Sequence, residues 1–364
     1  MLLPIRNGLA PSAVFLGLNA LMREVLLASC SGRAVDQSNF PEDIWHAVQA
    51  NEPTRAHLQA VRDVIDATDT TIRYELYLAF QEVTSVRQLF SDQALAIPEP
   101  PEAVTAELKK LAAHLFERTS KLADITRACG ESIKDHYSRY SADPAPGNGN
   151  VCGMCATELL SQRRSYISAN EQWRAPYDHL LAKEKYPQFG VDPDNLLPTC
   201  HTCNSKAKLA KDLLHNSEGD RRICFDPWVE HAHGKVILRI DFDLIDLTPK
   251  VSLFMTPADV AEQEKLETWN DVYRIKERID GEFITLREKL AEDLDPSSLE
   301  NFKRSIESKK IIKMSAARLT PYNYWRSLLY AALTNFPDQT LEQLRILSLE
   351  GLDPYGDAAA TYGI

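Results

Sequence analysis

The sequence predicts a mostly α-helical protein with a small α+β module in its middle. Apolar residues recur at helical spacing in the first 140 residues and again after residue 257. Between these regions, residues 152–208 contain two pairs of cysteines, short apolar runs and many turn-forming residues. A stretch rich in Pro, Gly and Asn, residues 141–150, separates the N-terminal helices from this module.

The composition is that of a globular protein large enough for two or three domains. Of 364 residues, 44% are apolar and 26% are charged, which excludes a largely disordered chain. We expect five segments. They are a helical N-terminal domain (1–140), a linker (141–150), the cysteine-containing module (151–225), a β-hairpin extension (226–256) and a helical C-terminal region (257–364).

The N-terminal helices are predicted from apolar stripes. Leu58, Val61 and Ile65 lie on one face of a helix. A longer helix is predicted after Pro101, and Gly130 is a typical residue to end it. Its stripe comprises Val104, Leu108, Leu111, Leu115, Leu122 and Ile125. Such stripes indicate core packing.

The hairpin extension is predicted from alternation of apolar and charged residues. Residues 236–244 alternate, and residues 251–255 can pair with them as a second strand. Asp241, Asp243 and Asp246 resemble a metal-ligand set, but carboxylates on an alternating strand are typical of its solvent face.

Four of the seven cysteines predict a structural zinc site. Cys152 and Cys155 form one Cys-x-x-Cys pair, and Cys200 and Cys203 form another after 44 intervening residues. Two such pairs supply four thiolates and fill the tetrahedral shell of Zn²⁺, so this ion would stabilise structure and leave no position for catalysis.

The cellular location is predicted from the cysteines and from the N-terminus. An odd number of cysteines, with metal-ligand spacing, favours a reducing compartment. Residues 8–27 are apolar, but Arg23 and Glu24 lie among them, which favours a core helix over a secretion signal or a membrane span. We therefore expect a cytoplasmic protein without membrane contact.

The residues between and after the cysteine pairs resemble a known family. Tyr177-Asp178-His179 is followed by Asn195 and, directly after the last cysteine, by Asn204. This order resembles the zinc-containing HNH endonucleases, which implies the ββα-metal fold for the module. We expect its strands within residues 165–167 and 173–181 and its helix at 205–214. The runs 178–187 and 195–206 are also similar to HNH nucleases of bacterial anti-phage systems such as Septu.

The resemblance implies a role for each motif residue. His179 would be the general base, which suits imidazole because it titrates near neutral pH. Asp178 and Asn204 would hold one catalytic divalent ion, Mg²⁺ or Mn²⁺, through oxygen atoms. Asn195 would hold the loop and orient the histidine backbone, since an amide donates and accepts hydrogen bonds.

Two lysines are expected to contact phosphate. Lys206 and Lys208 lie at the start of the predicted helix, whose N-terminus also favours anions. A second basic stretch, residues 303–326, contains seven basic side chains and ends in Tyr322, Tyr324 and Trp325. It predicts either a second nucleic-acid surface or a solvated helix face with aromatic residues in the core.

The expected function is a metal-dependent endonuclease that acts on DNA. An RNA endonuclease for tRNA-like substrates and a non-catalytic zinc module for partner docking are the alternatives. The net charge is −11, and residues 160–222 contain only ten basic against eight acidic side chains. We therefore expect weak binding of bare nucleic acid and a protein partner. The resemblance implies an ATPase subunit as this partner and anti-phage defence as the setting.

Overall fold

Helices dominate the fold, as the sequence predicts. The protein is described by a computed structural model. It covers residues 2–5, 11–141, 150–162, 164, 166–168, 171–209, 211–242, 249–256 and 259–352. Residues 142–149 of the predicted linker lie outside these residues, as do Asp243 and Asp246.

The described residues form fifteen α-helices and four short β-strands. The N-terminal helices are α1 Ala13–Ser31, α2 Glu42–Ala50, α3 Glu52–Asp66, α4 Thr70–Glu82, α5 Val86–Ser91, α6 Glu102–Glu117, α7 Ala123–Cys129 and α8 Ile133–Ser141. The strands are β1 Tyr177–His179, β2 Leu196–Pro198, β3 Val236–Phe242 and β4 Pro249–Met255. The later helices are α9 Val260–Tyr273, α10 Ile275–Phe283, α11 Leu286–Asp293, α12 Leu299–Lys309, α13 Met314–Leu319, α14 Asn323–Leu333 and α15 Asp338–Leu352.

The chain divides into two compact units. The first contains the described residues within 3–143 and 160–231, and the second contains the described residues within 144–159 and 232–364. Two units are fewer than the five predicted segments, whose boundaries stay predictions.

Helix α3 illustrates how the first unit forms. Asn51 caps it by accepting a hydrogen bond from the Thr54 amide at 3.1 Å. The predicted stripe of Leu58, Val61 and Ile65 is buried, as expected, and α3 packs against α6. Apolar burial of this kind is the main stabilising contribution to such helix pairs.

The single long helix predicted after Pro101 is wrong in its length. Helix α6 ends at Glu117, and a 3₁₀ turn separates it from α7. The break has a physical reason. The Ser120 hydroxyl, in the 3₁₀ turn, donates to the Phe116 carbonyl, and such a side-chain bond competes with the backbone bonds of a continuing helix. Gly130 ends the second piece, α7, with φ +73°.

Helix α1 is long and apolar enough to span a membrane. However, two thirds of its apolar stretch (67%) is buried inside the protein, mainly against α3 and α4. The core helix of a globular protein has the same length and hydropathy, so α1 is weak support for a membrane role.

The second unit contains the predicted hairpin. Strands β3 and β4 pair antiparallel, with Val236 opposite Met255 and Phe242 opposite Pro249. Val236, Leu238 and Ile240 are buried, and Asp241 is exposed. The alternation predicted from the sequence is therefore the alternation of buried and exposed side chains on β3.

The basic stretch 303–326 has the features of a solvated face. Lys309 and Lys310 form ion pairs with Asp293 and Glu307, at 3.1 and 2.6 Å. Tyr324 and Trp325 are 3% and 0% exposed. Because both rings are in the core, they are not available to stack on nucleic-acid bases.

Candidate metal centre and active site

The four paired cysteines come together in one buried cluster. The Sγ atoms of Cys152, Cys155, Cys200 and Cys203 all lie within 4.8 Å of one another. Sulfur atoms bound to one zinc ion at about 2.3 Å are about 4 Å apart, so the cluster fits a tetrahedral site. Among the described residues it is the one group of three or more Cys, His, Asp or Glu side chains close enough to share an ion.

Hydrogen-bond donors lie around two of the sulfur atoms. The backbone N–H of Cys203 donates to Cys200 Sγ, and that of Thr157 donates to Cys155 Sγ, both at 3.4 Å. The guanidinium of Arg278 also lies 3.4 Å from Cys155 Sγ. Such donors stabilise negative charge on metal-binding sulfur. The cluster can therefore hold a structural metal such as zinc.

Two short strands lie between the cysteine pairs. Strand β1 pairs antiparallel with β2, with Asp178 opposite Leu197 and His179 opposite Leu196. The predicted strand at 173–181 is thus only three residues long. The strand predicted at 165–167 is wrong: Tyr166 has φ +64° in a turn, and Ser165 lies outside the described residues. The strand that pairs with β1 is instead β2.

The helix predicted at 205–214 is also wrong in its bounds. A π-helical turn covers Cys203–Lys208, and Leu209, with φ +51°, ends it. A π turn is wider than an α-helical turn and alters the direction of the side chains that it carries. Lys208 is the last residue of this turn.

His179 has a defined tautomer. Its Nε2 atom lies 3.0 Å from the Gly190 carbonyl oxygen. Because a carbonyl only accepts hydrogen bonds, Nε2 carries the proton. In the neutral ring, Nδ1 then carries the lone pair that can accept a proton.

The surroundings keep the His179 ring neutral. Burial lowers the pKa of His179 to about 3, and the charges of Lys183 and Lys208 act in the same direction. The bond to Gly190 acts in the opposite direction. The imidazole is therefore unprotonated at neutral pH, as a general base must be. The expectation that it titrates near neutral pH is wrong, and a pKa this low makes His179 a weaker base than an ordinary histidine.

Helix α6 holds the His179 ring and its hydrogen-bond partner. Phe116 meets the imidazole edge-on, with ring centroids 4.7 Å apart. The Gly190 backbone approaches α6 so closely that a Cβ atom on it would lie 2.6 Å from Ala112 Cβ. Only glycine fits there without a shift of the backbone. The position of the Gly190 carbonyl thus depends on contact with α6.

Asn195 connects both ends of the loop between β1 and β2. Its Oδ1 accepts from the Leu181 amide at 2.7 Å. Its Nδ2 donates to the carbonyls of Leu181 and Phe189, at 3.1 and 2.9 Å. The side chain is fully buried. These contacts hold the backbone beside His179 and beside Gly190, the geometry that the loop-holding role predicted for Asn195 requires.

Lys208 does not suit the phosphate contact predicted for it. Its side chain is 1% exposed, and its Nζ donates to the His179 carbonyl at 2.6 Å. The same Nζ lies 3.2 Å from Oδ1 of Asp178, which is also buried. A side chain in this position cannot reach a phosphate at the surface. Lys206, two residues earlier, is exposed and remains a candidate for that contact.

Asn204 lies in the π turn directly after the last cysteine. Its amide nitrogen donates to Ser205 Oγ at 3.3 Å, and its backbone N–H donates to the Cys200 carbonyl. The side chain is half-buried. A shared metal ion between Asn204 and Asp178 stays a prediction.

The structure adds Gly190 and Phe116 to the site. Neither is part of the sequence motif, and Phe116 is 63 positions before His179. Gly190 lies in a run of turn formers, which is a signal for a turn but not for a contact with the histidine.

Comparisons with known proteins do not identify a relative. No family model, no curated protein and no solved structure matches this chain. The likeness to HNH endonucleases therefore rests on the motif residues and on their spacing.

Proposed function

We propose that this protein is an endonuclease that hydrolyses phosphodiester bonds, with DNA as its substrate. The observation that carries the proposal is the state of His179. It is a neutral imidazole whose Nε2–H is held by the Gly190 carbonyl and whose Nδ1 is the proton acceptor. The proposal also rests on the motif around it, Asp178-His179, Asn195 and Asn204.

In the proposed reaction, Nδ1 of His179 removes a proton from a water molecule as its oxygen attacks the phosphorus atom. The bond to the 3′ oxygen breaks, and this oxygen takes a proton from a solvent water molecule, so the products are a 5′-phosphate and a 3′-hydroxyl. The hydrogen bond to Gly190 keeps the ring orientation constant and stabilises the imidazolium that forms. Asn195 maintains the loop that supplies this carbonyl.

The proposal includes one divalent ion. A carboxylate oxygen from Asp178 and an amide oxygen from Asn204 are donors that Mg²⁺ and Mn²⁺ prefer, so the residues fit by donor chemistry. When bound, such an ion stabilises negative charge on the phosphate and on the leaving oxygen. The zinc centre has a separate, structural role, because its four thiolates leave no open position.

Substrate binding is proposed to depend on a partner. The exposed Lys206 can contact phosphate, but the chain as a whole has a net charge of −11. We expect the isolated protein to bind short DNA with a Kd in the micromolar range or weaker, typical of non-specific contacts. A partner such as an ATPase subunit of an anti-phage system would supply the remaining affinity.

The test is cleavage of end-labelled DNA and RNA by wild-type protein and by His179→Gln, with Mg²⁺, with Mn²⁺ and with EDTA. We expect metal-dependent DNA cleavage with 5′-phosphate ends by the wild type alone. Preference for RNA would replace DNA as the substrate. Equal cleavage by both proteins would exclude His179 as the base. No cleavage of DNA or RNA with either metal ion would overturn the proposal.

A further inference from the structure

Lys208 is one of the largest fully buried side chains in the described part of the protein. Lysine is almost never fully buried unless its charge is paired, because transfer of an ammonium group out of water is costly. Both identified partners of Lys208 belong to the motif. Its Nζ lies 2.6 Å from the carbonyl oxygen of His179 and 3.2 Å from Oδ1 of Asp178.

These two partners are oxygen ligands of the kind that a hard cation binds. A carboxylate and a backbone carbonyl are common ligands of divalent ions, and here an ammonium group contacts both. Asp178 is only 2% exposed, so little of its carboxylate is open to another cation. An ammonium group and a divalent ion at the same oxygen atom would also repel each other.

We propose that the Lys208 ammonium is the resident counter-ion of Asp178, and that a divalent ion binds Asp178 only by displacing it. The inference rests on the proposed function in one respect, since it concerns the ion that the endonuclease would use. It implies that the apo protein is stable without a divalent ion. It also implies that Lys208 lowers the affinity for that ion, so that activity requires movement of this side chain.

The shape of the π turn supports this role. The turn Cys203–Lys208 begins at a cysteine of the metal cluster, and Leu209 ends it with a positive φ. Lys206, in the same turn, is exposed, whereas Lys208 is buried. The turn therefore provides a matched pair of lysines, one against Asp178 and one in solvent.

The experiment compares five proteins: wild type, Lys208→Gln, Asp178→Asn, the double variant and Lys206→Gln. Glutamine keeps a donor for the His179 carbonyl but removes the charge. Mn²⁺ binding is measured by electron paramagnetic resonance and by the rise of Tm with Mn²⁺ concentration, on protein with the cysteine cluster loaded with zinc.

We expect Lys208→Gln to melt lower than wild type without Mn²⁺, because the buried Asp178 carboxylate then loses the ion pair with Lys208. It should bind Mn²⁺ more tightly by about tenfold or more, and its Tm should rise accordingly. The double variant should recover much of the lost Tm and show no Mn²⁺ response. Lys206→Gln should bind Mn²⁺ like the wild type.

Equal or tighter Mn²⁺ binding by the wild type would overturn the inference, as would a tight site in the double variant. If Lys208→Gln folds only when Mn²⁺ is present, the inference stands. If Lys208→Gln does not fold even with Mn²⁺ while the double variant does fold, the inference is overturned. Cleavage is measured separately. Absent cleavage with the expected Mn²⁺ binding would refute the proposed function and leave the inference intact.

Discussion

Nε2 of His179 lies 3.0 Å from the carbonyl oxygen of Gly190, and this contact assigns the proton of the ring. The contact also suggests a substitution that tests the roles of the two ring nitrogen atoms separately. The amide nitrogen of glutamine lies about where Nε2 lies, so His179→Gln can keep the bond to Gly190 while it removes Nδ1.

We predict that His179→Gln keeps its metal content and loses cleavage by a factor of about a hundred or more, the usual scale for a lost general base. The measurement is single-turnover cleavage beside metal analysis and thermal melting. Cleavage within a few-fold of wild type would contradict the assignment of Nδ1 as the base.

The pKa of His179 predicts how stability depends on pH. Its pKa is about 3 in the folded protein and near 6.5 for an unperturbed histidine. Between these values the unfolded chain binds a proton that the folded protein does not bind. The contribution of His179 is therefore fully present above about pH 6.5 and is lost as pH falls, by about 1.4 kcal/mol of unfolding free energy per pH unit.

His179→Gln is the control for this pH dependence, since other groups titrate in the same range. Asp192, for example, is buried and has its pKa raised to about 6, which acts in the opposite sense. The measurement is urea unfolding of both proteins at about pH 4 to 8. A difference between the two proteins that is constant with pH would show that the His179 pKa is not lowered.

Gly190 is predicted to be a positioning residue. Gly190→Ala places a Cβ atom 2.6 Å from Ala112 Cβ, so the backbone must move away from α6 and carry its carbonyl away from His179. We expect a loss of stability of about 1–3 kcal/mol, typical of overpacking. Cleavage should fall through kcat with little change in KM. The pH at which activity falls should also move, because the Gly190 bond contributes to the His179 pKa.

Gly281→Ala is the matched control. Gly281 lies in α10, and a Cβ atom there would meet no atom within 4 Å. Alanine should leave cleavage unchanged and stabilise the helix by at most about 1 kcal/mol. Equal effects of the two substitutions would remove the argument for a specific contact at Gly190.

Local sequence patterns predict much of the fold, because the spacing of apolar residues depends on the geometry of a single helix or strand. The stripe of Leu58, Val61 and Ile65 and the alternation on β3 each follow from the period of one element. The cysteine cluster follows from ligand spacing. Strand β2 is not predicted from the sequence, because Leu196-Leu197-Pro198 is only three residues long and shows no alternation of apolar and polar residues.

The parts of the site that sequence reasoning misses depend on distant contacts or on an uncommon backbone. The packing of Phe116 on His179 joins residues from separate elements, and no periodicity records it. Lys208 is expected at the surface because most lysines are exposed. Lys208 lies at the end of a π turn, in which side chains point in other directions than in an α-helix. The helix propensities of the residues do not distinguish a π turn from an α-helix.

The cysteine cluster predicts the metal content. Purified protein should contain close to one zinc ion per chain. Cys152→Ser should lose most of the zinc and melt lower by roughly 10 °C or more, because the binding energy of a structural zinc is folding energy. The measurements are metal analysis by mass spectrometry and thermal melting with and without a chelator.

Cys129→Ser is the control for the zinc prediction. Cys129 is a half-buried free cysteine outside the cluster. Its substitution should leave the zinc content unchanged. A folded protein without zinc, or loss of zinc in Cys129→Ser, would contradict the assignment of the four ligands.

Two asparagines of the motif are predicted to differ in what they stabilise. Asn195 is fully buried and makes three hydrogen bonds to backbone groups of Leu181 and Phe189. Asn195→Ala removes the partner of the buried Leu181 amide, which costs about 1–3 kcal/mol, whereas the Phe189 carbonyl keeps its bond from the Asp192 amide. Asn204 is half-buried, with one side-chain bond of 3.3 Å to Ser205. Asn204→Ala should change the unfolding free energy by about 0.5 kcal/mol or less.

Urea unfolding and cleavage of the same two variants separate structure from catalysis. Asn195→Ala should lose stability and cleavage together, because the loop that holds the Gly190 carbonyl is no longer fixed. Asn204→Ala should keep its stability and lose cleavage, and a higher Mn²⁺ concentration should restore part of it, since a weakened ion site fills by mass action. An Asn204→Ala protein as active as wild type would show that Asn204 does not bind the divalent ion and has only a structural role in the turn where it lies.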